Sequence, residues 1–325
     1  SPNSISPIFT MLQKYNPMAY TDKTLLWGTS RTSLIFVTIT IVSALFFGGI
    51  GFTFSEKIFG ITTPNGMRWA QFSIALGLFL MPPLLFASLA SNNPAKFLGF
   101  LALPTYHTAP LARKNAAPLP PTFHTYLALV LLTLGCFFCI DLLARTKDLL
   151  PDYTWVEALK SQEETVNSAI QVFLKDMSLT TLAANTLIMV LLPAFGEELF
   201  FRGVLLKLFN RTFNFRIAAL ITAIFFGLAH QQPLSFLPIF FMGLTFAYVK
   251  MWTGTIWAPI LMHAINNGFA LFSAYFNDGT LESTSSLPIE LSLAGITAFA
   301  IGVYWLRKIQ REHTAWLRKS QIVSR

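Results

Sequence analysis

The sequence predicts an all-α membrane protein, a bundle of about eight transmembrane helices. Of its 325 residues, 54% are hydrophobic and only 12% are charged, whereas soluble domains carry roughly 25% charged residues. Apolar runs of about 18 residues or more, long enough to cross a bilayer as helices, recur along the chain. Because few polar residues remain to cover a water-facing surface, we expect residues 1–325 to form a single polytopic membrane domain.

Eight apolar runs predict the membrane-spanning helices. The first run is too long and begins too late for a cleaved signal peptide, so we expect it to be retained. Pro82-Pro83 lies within the second run and predicts a kink there. The predicted spans are 33–53, 69–90, 123–143, 179–206, 215–231, 234–251, 255–276 and 288–306.

Three polar segments lie between or after these runs. The Pro-rich link 104–121 predicts an extended loop outside the membrane. The segment 145–176 mixes both charge signs with scattered apolar residues, a pattern that predicts a helix lying on the membrane surface. The basic tail 307–325 is expected to contact anionic lipid.

The distribution of charge predicts the orientation of the chain. With eight spans, the side that holds both termini carries sixteen Lys and Arg residues, and the other side carries six. Cytoplasmic loops are enriched in these residues, so we expect both termini in the cytoplasm and the segment 145–176 outside it. The net charge of +8 therefore reflects topology, and we expect no nucleic-acid partner.

One apolar run contains a cluster of ionisable residues, Glu197, Glu198 and Arg202. Charged side chains within a membrane-spanning helix carry a desolvation penalty of several kcal/mol, and they usually mark functional sites. Glu198 and Arg202 are four residues apart, which predicts an ion pair on one helical face. Glu197 points about 100° away from Glu198 and can face a cavity.

Two histidines also lie within apolar runs. His230 follows Phe226 by four residues, and Asn267 follows His263 by four, so each pair shares a helical face. At about 1.5 Å per residue, Glu197, His230 and His263 lie roughly 13–21 Å from the cytoplasmic ends of their helices. Side chains that share a depth in this way predict a single site.

The residue types in this site suit peptide hydrolysis. A carboxylate beside an imidazole can hold a water molecule and remove its proton. A second imidazole and a carboxamide can donate to the oxygen that becomes negative when water adds to a carbonyl. No Ser or Cys lies beside a base, which disfavours a covalent route. Cys136 and Cys139 are interpreted as inert core residues.

These motifs resemble a known family. Glu197-Glu198-x-x-x-Arg202, Phe226-x-x-x-His230 and His263-x-x-x-Asn267 occur in that order on successive helices. They resemble the CAAX protease and bacteriocin-processing family of intramembrane endopeptidases, which includes the Ras-converting enzyme type of prenyl protease. The resemblance covers about residues 180–270.

The resemblance implies a metal-free, glutamate-dependent protease with no cofactor and a cavity open to the cytosol. It implies that Glu197 is the general base, that His230 helps to activate the water, and that His263 and Asn267 stabilise the oxyanion. Glu198, Arg202 and Phe226 would support them. The implied catalytic core is 179–276, with 33–143 as accessory spans. The implied partners are the lipid bilayer of the cell membrane (the inner membrane in a bacterium) and a membrane-bound protein or lipidated peptide substrate.

Three alternatives remain open from the residues alone. Glu197, His230 and His263 can form a zinc site with two histidines and one carboxylate, although the sequence has no His-Glu-x-x-His motif. A non-catalytic scaffold or bacteriocin-immunity protein can use the cluster to bind a peptide or lipid. A proton-coupled transporter also uses intramembrane Glu and His, but its inverted repeats and broken helices are not found here.

Overall fold

The described part of the chain is helical. A computed structural model of the protein describes residues 22–101, 123–151, 153–174, 176, 178–276 and 288–323, with side chains to residue 315. Its main helices are α1 (Thr29–Ile58), α2 (Pro64–Ala90), α3 (Phe123–Leu149), α4 (Thr154–Phe173), α5 (Leu179–Thr212), α6 (Phe215–Ala229), α7 (Phe236–Thr253), α8 (Trp257–Phe276) and α9 (Ile289–Val323).

Each predicted span coincides with one of these helices, and α4 falls within the polar segment 145–176. Within the described residues, six helices are long and apolar enough to cross a membrane: α1, α2, α3, α5, α7 and the first 27 residues of α9. Helix α6 is a shorter apolar helix of 15 residues. The protein is thus a multi-pass membrane protein, while the count of eight crossings and the orientation of the termini stay predictions. The Pro-rich link 104–121 lies outside the described residues.

Prolines inside α2 and α5 coincide with wider helical turns. Proline has no N–H and its ring clashes with the carbonyl four residues earlier, so a regular α-helix cannot continue through it unchanged. In α2 a π-helical turn over Leu76–Leu80 precedes Pro82-Pro83, where the sequence predicted a kink. In α5 a π-helical turn over Thr186–Leu191 precedes Pro193, and a second one covers Leu199–Leu205. Such turns are frequent at functional sites.

Helices α3 and α9 pack closely as an antiparallel pair. A Cβ atom on Gly135 would lie 2.3 Å from the backbone nitrogen of Phe299, so only glycine permits this approach. At one end of the pair, Arg145 forms an ion pair with Asp141 at 2.8 Å, and the Asp141 carboxylate accepts a hydrogen bond from Ser292 at 3.4 Å. This pair flanks the core that α5 to α8 build around the candidate site.

Helix α4 lies over the turn between α6 and α7. Gln162 donates through Nε2 to the backbone carbonyl of Gln231 at 3.2 Å, and the Ser235 hydroxyl donates to Glu163. The C-terminus of α4 is fixed by Arg68, whose Nη2 donates to the Phe173 carbonyl at 3.1 Å. Helix α4 is thus connected to the turn at the end of α6.

Candidate active site

A large cavity lies between the helices that carry the sequence motifs. Its volume is about 2240 Å³, and its lining comes from α1 to α6 and α8. Glu197, His230 and Asn267 all line this cavity. The structure therefore brings three of the four predicted catalytic side chains to one space.

Glu197 and His230 face each other across a short gap. The Oε2 atom of Glu197 lies 3.9 Å from Nε2 of His230, which is too long for a direct hydrogen bond. The other ring nitrogen of His230, Nδ1, lies 2.8 Å from the Phe226 carbonyl. A carbonyl only accepts, so Nδ1 carries the hydrogen and a neutral His230 presents an unprotonated Nε2 to Glu197. Two acceptors then face one gap, and a water that donates to both satisfies them.

The local sequence explains why His230 is presented in this way. His230 is the C-cap of α6, one turn after Phe226, so its ring can bond the free Phe226 carbonyl at the helix end. Gln231 has a φ of +55°, which turns the chain sharply away from the helix axis. The Gln231 carbonyl accepts the hydrogen bond from Gln162 on α4. This hydrogen bond from α4 thus fixes the turn that holds His230.

Behind the cavity lies a buried polar cluster of Glu198, Arg202 and His263. Glu198 and Arg202 are both 0% exposed, and Oε1 of Glu198 lies 2.7 Å from Nη1 of Arg202. The ion pair expected from their spacing is present. The same Oε1 lies 3.1 Å from Nδ1 of His263. Arg202 also donates through Nη2 to the Gly243 carbonyl on α7 at 2.8 Å, so the cluster joins α5, α7 and α8.

Phe226 lies between the cavity pair and the buried cluster. Its ring centroid is 4.8 Å from that of His230 and 5.9 Å from that of His263. The Arg202 guanidinium carbon lies 4.3 Å from the centroid of the same ring, a distance typical of cation–π contacts. Phe226 is fully buried. It therefore supports His230 from behind and shields the charge of Arg202.

His263 is placed differently from the other predicted catalytic residues. Its side chain is 1% exposed and does not line the cavity. Its hydrogen bond goes to Glu198, on the inner side of α5. The role of oxyanion donor assigned to His263 stays a prediction, and contact with a substrate oxygen requires a rearrangement that exposes the ring.

Asn267 is held by a carbonyl that a proline releases. Pro193 cannot donate to the carbonyl of Met189, four residues earlier on α5. That carbonyl accepts instead from Nδ2 of Asn267 at 3.3 Å. Asn266 donates to Oδ1 of Asn267 at 3.4 Å. A carboxamide nitrogen carries two hydrogens, so the second N–H of Asn267 remains for a group in the cavity.

The structure does not join Glu197, His230 and His263 into one ligand set. Across the described ranges, no three His, Cys, Asp or Glu side chains are grouped closely enough to hold a metal ion. The two imidazoles instead contact different carboxylates, His230 facing Glu197 and His263 facing Glu198.

Sequence reasoning missed the residues that support the site from α4. Gln162, Glu163, Gln231 and Ser235 form the contacts between α4 and the turn after α6. The first two residues are about 70 positions from their partners, and polar residues on an amphipathic helix are ordinarily assigned to solvent. The sequence feature that could have indicated this contact is Gln231, because it directly follows the motif residue His230.

Comparisons with known proteins agree with the motifs. Residues 179–269 match the family described as type II CAAX prenyl endopeptidase Rce1-like. The membrane-embedded CAAX protease MroQ of Staphylococcus aureus (strain USA300) is 33% identical over 96 residues, 27% of this chain and 38% of that protein. The putative membrane peptidase YdiL of Bacillus subtilis (strain 168) is 35% identical over 75 residues, 23% of this chain and 31% of that protein. No solved structure matches the chain.

The residues that match the family model contain the site and little else, since they run from the start of α5 into α8. The chain matches 38% and 31% of the lengths of the two relatives, well under two thirds of each. All seven motif residues fall within 179–269. The predicted resemblance is thereby confirmed: residues 179–269 of this multi-pass membrane protein are similar to the Rce1-like CAAX prenyl endopeptidases.

Proposed function

We propose that this protein is an intramembrane endopeptidase in which Glu197 activates a water molecule. One observation carries the proposal: Glu197 Oε2 and His230 Nε2 face each other at 3.9 Å in the lining of a large cavity. Glu197 Oε2 has no hydrogen-bond partner among the described residues, and we propose that the reacting water enters here and donates to both atoms. The similarity to proteins named as a protease and a peptidase supports the same activity.

The chemistry follows from the proton positions. Glu197 takes one proton from the water as the water oxygen attacks the peptide carbonyl, and His230 holds the other hydrogen in line. The carbonyl oxygen becomes negative and accepts from the second N–H of Asn267. Glu197 then gives its proton to the leaving amine as the C–N bond breaks. The products are an amine and a carboxylic acid, which passes its remaining proton to the amine or to solvent and becomes a carboxylate, and Glu197 is ionised again.

The buried cluster fixes the position of the base. Arg202 and His263 hold Glu198, the residue next to Glu197, against α7 and α8. A base that is held in place loses little entropy at the transition state. In the present arrangement His263 contributes through Glu198.

The substrate is proposed to be a membrane-bound protein or lipidated peptide, including a prenylated CAAX tail, cut near its C-terminus. Exposed apolar side chains of α1 and α6 line the same cavity: Val37, Ile41, Phe225 and Leu228. A chain that reaches the cavity from the bilayer keeps its lipid in an apolar environment.

We place the catalytic core at 179–276, in a protein with eight crossings and both termini cytoplasmic.

The test is peptide cleavage by purified protein in lipid nanodiscs. Prenylated and plain C-terminal peptides are compared for release of a tripeptide, measured by mass spectrometry. Glu197→Gln is expected to lose at least 10³-fold, since the base is removed without changing its size. Glu164→Gln, a change of another cavity carboxylate, is the matched control and is expected to retain activity.

Two further arms separate the alternatives. A scaffold or immunity protein gives no cleavage by the wild type, and its function survives Glu197→Gln. A zinc protease loses activity in a chelator and regains it with added Zn²⁺, whereas the proposed mechanism is unaffected by chelation. If the Glu197→Gln variant cleaves the peptide at the wild-type rate, Glu197 has no part in the mechanism.

A further inference from the structure

A π-helical turn in α5 directly follows the two adjacent glutamates of the site. It covers Leu199–Leu205, and Glu198 is the residue before it. In a regular α-helix each N–H donates to the carbonyl four residues earlier. At the end of this turn, however, the N–H of Leu206 donates to the carbonyl of Phe201, five residues earlier. The carbonyl of Arg202, the ordinary acceptor for that N–H, is therefore not used by it.

Lys250 of α7 bonds the Arg202 carbonyl that this turn releases. Its ammonium group donates to that oxygen. A buried carbonyl that lacks a partner costs free energy, so this contact stabilises the irregular turn. Lys250 lies in the last turn of α7 and is half-buried. It belongs to none of the three sequence motifs, which lie on α5, α6 and α8.

Two reciprocal contacts join Arg202 to α7. The Arg202 side chain donates through Nη2 to the Gly243 carbonyl at 2.8 Å. The Lys250 side chain donates in the opposite direction, to the Arg202 backbone. Gly243 and Lys250 are about two helical turns apart, so they lie on one face of α7. The π-helical turn cannot slide along α7 without breaking at least one of these contacts.

An equivalent arrangement lies on the other side of Glu197. The carbonyl of Met189, which Pro193 releases, accepts from the Asn267 side chain of α8. A side chain from a neighbouring helix thus holds a released carbonyl both before and after Glu197. Asn267 does so on the earlier side and Lys250 on the later side.

We propose that Lys250 is a positioning residue for the peptidase reaction, and this role rests on the proposed function. Lys250 does not line the cavity that contains Glu197 and His230, so it acts through α5. It holds the turn after the glutamates and thereby keeps Glu197 Oε2 at 3.9 Å from His230 Nε2. Without the ammonium group, the turn can recover regular helical bonding, which changes the rotation of the part of α5 that carries Glu197. A misplacement of about 1 Å can lower a rate about 10²-fold.

The test is single-turnover cleavage of the C-terminal peptide in nanodiscs, with the protein in excess. Lys250→Met removes the donor from a side chain of similar size, and it is expected to lower the rate constant at saturating protein about 10–10²-fold. Lys250→Arg keeps a charged donor and is expected to retain most of the rate. An unfolded fraction reduces the amount of active protein but leaves this rate constant unchanged. Lys308→Met, at an exposed position of α9, is the matched control and is expected to have no effect.

Hydrogen–deuterium exchange of the segment 199–208 provides a readout that needs no substrate. Exchange there is expected to rise in Lys250→Met and to stay at the wild-type level in Lys250→Arg, because only the first variant releases the turn. Exchange in α3 and α9 is expected to be the same in all variants. If the wild type cleaves no peptide, the proposed peptidase function fails, and exchange alone then decides whether Lys250 holds the turn.

Three results would overturn the inference. One is a wild-type rate constant in Lys250→Met. Another is an equal loss of rate in Lys250→Met and Lys250→Arg, since the hydrogen bond would then not be the cause. The third is unchanged exchange of the segment 199–208 in Lys250→Met. If Lys250→Met does not fold, Lys250→Gln replaces it, because its shorter polar side chain suits the same surroundings and lengthens the contact with the Arg202 carbonyl.

Discussion

Arg202 offers a test of whether the buried cluster holds the site together. Arg202→Ala removes the arginine partner of Glu198 and leaves a carboxylate that is 0% exposed and contacts only His263 among the side chains of the cluster. Breaking a buried ion pair in this way costs about 3–5 kcal/mol of unfolding free energy. The contacts with the Gly243 carbonyl and with Phe226 are lost as well. We therefore expect a large fall in stability together with a loss of activity.

The matched control for this change is Arg145→Ala. Arg145 and Asp141 are also four residues apart, but their side chains are 26% and 13% exposed. Pairs that solvent reaches contribute about 1 kcal/mol or less. Any difference between the two alanine variants therefore reports burial rather than the removal of an arginine.

The cysteines provide the assay. The chain has two, Cys136 and Cys139, both buried, so a thiol-reactive fluorescent dye reports thermal unfolding in detergent. Arg202→Ala is expected to unfold well below the wild type, and the double variant with Glu198→Gln is expected to recover part of the loss. Unfolding of Arg202→Ala at the wild-type temperature would refute the structural role of the pair. A stable but inactive variant would indicate a direct role in catalysis.

Two further predictions concern other contacts of the site, and a third concerns the start of α5. Asn267→Ala is expected to slow cleavage by about 10²–10³-fold, as for an oxyanion donor; an unchanged rate in the peptide assay assigns that role elsewhere. Gln162→Ala combined with Glu163→Ala releases the turn after His230. It is expected to lower kcat with little change in unfolding temperature, and unchanged kcat argues against positioning by α4. Hydrogen bonds from Thr181 and Ser178 lower the pKa of the Asp176 carboxyl, just before α5. The ionised carboxylate therefore stabilises the fold above the usual carboxyl pKa of about 3.9, and this contribution is lost as pH falls through the lowered value. Tryptophan fluorescence should show Asp176→Asn less stable than wild type at pH 7 and equal to it in strong acid; a gap that persists in acid contradicts the assignment.

Local patterns were enough to predict the helices and the carboxylate–arginine pair. Each apolar run of sufficient length became a helix because backbone groups in lipid must bond within their own segment. The Glu198–Arg202 contact follows from helical spacing alone. The proximity of Glu197 and His230 was inferred from their shared depth in the membrane. Two ionisable residues at one depth on neighbouring helices come close together when both face the interior of the bundle.

The direction of each side chain around the bundle was harder to predict. A motif fixes which residues share a face, but it does not say whether that face borders a cavity or a neighbouring helix. His263 shares a face with Asn267, yet His263 is buried against Glu198 while Asn267 lines the cavity. The partner of Asn267 depends on the carbonyl that Pro193 releases on another helix. The position of α4 over His230 depends on contacts across about 70 residues.

The central claim is that Glu197 and His230 act together on one water molecule, and a double-mutant comparison tests it most directly. Tripeptide release is measured for Glu197→Gln, His230→Ala and the double variant, each shown to be folded by the thiol-dye assay. Residues that act as a unit are not additive, so the double variant is expected to be about as slow as the slower single variant. A double variant whose rate loss is the product of the two single losses would show that the residues act independently and would contradict the shared water.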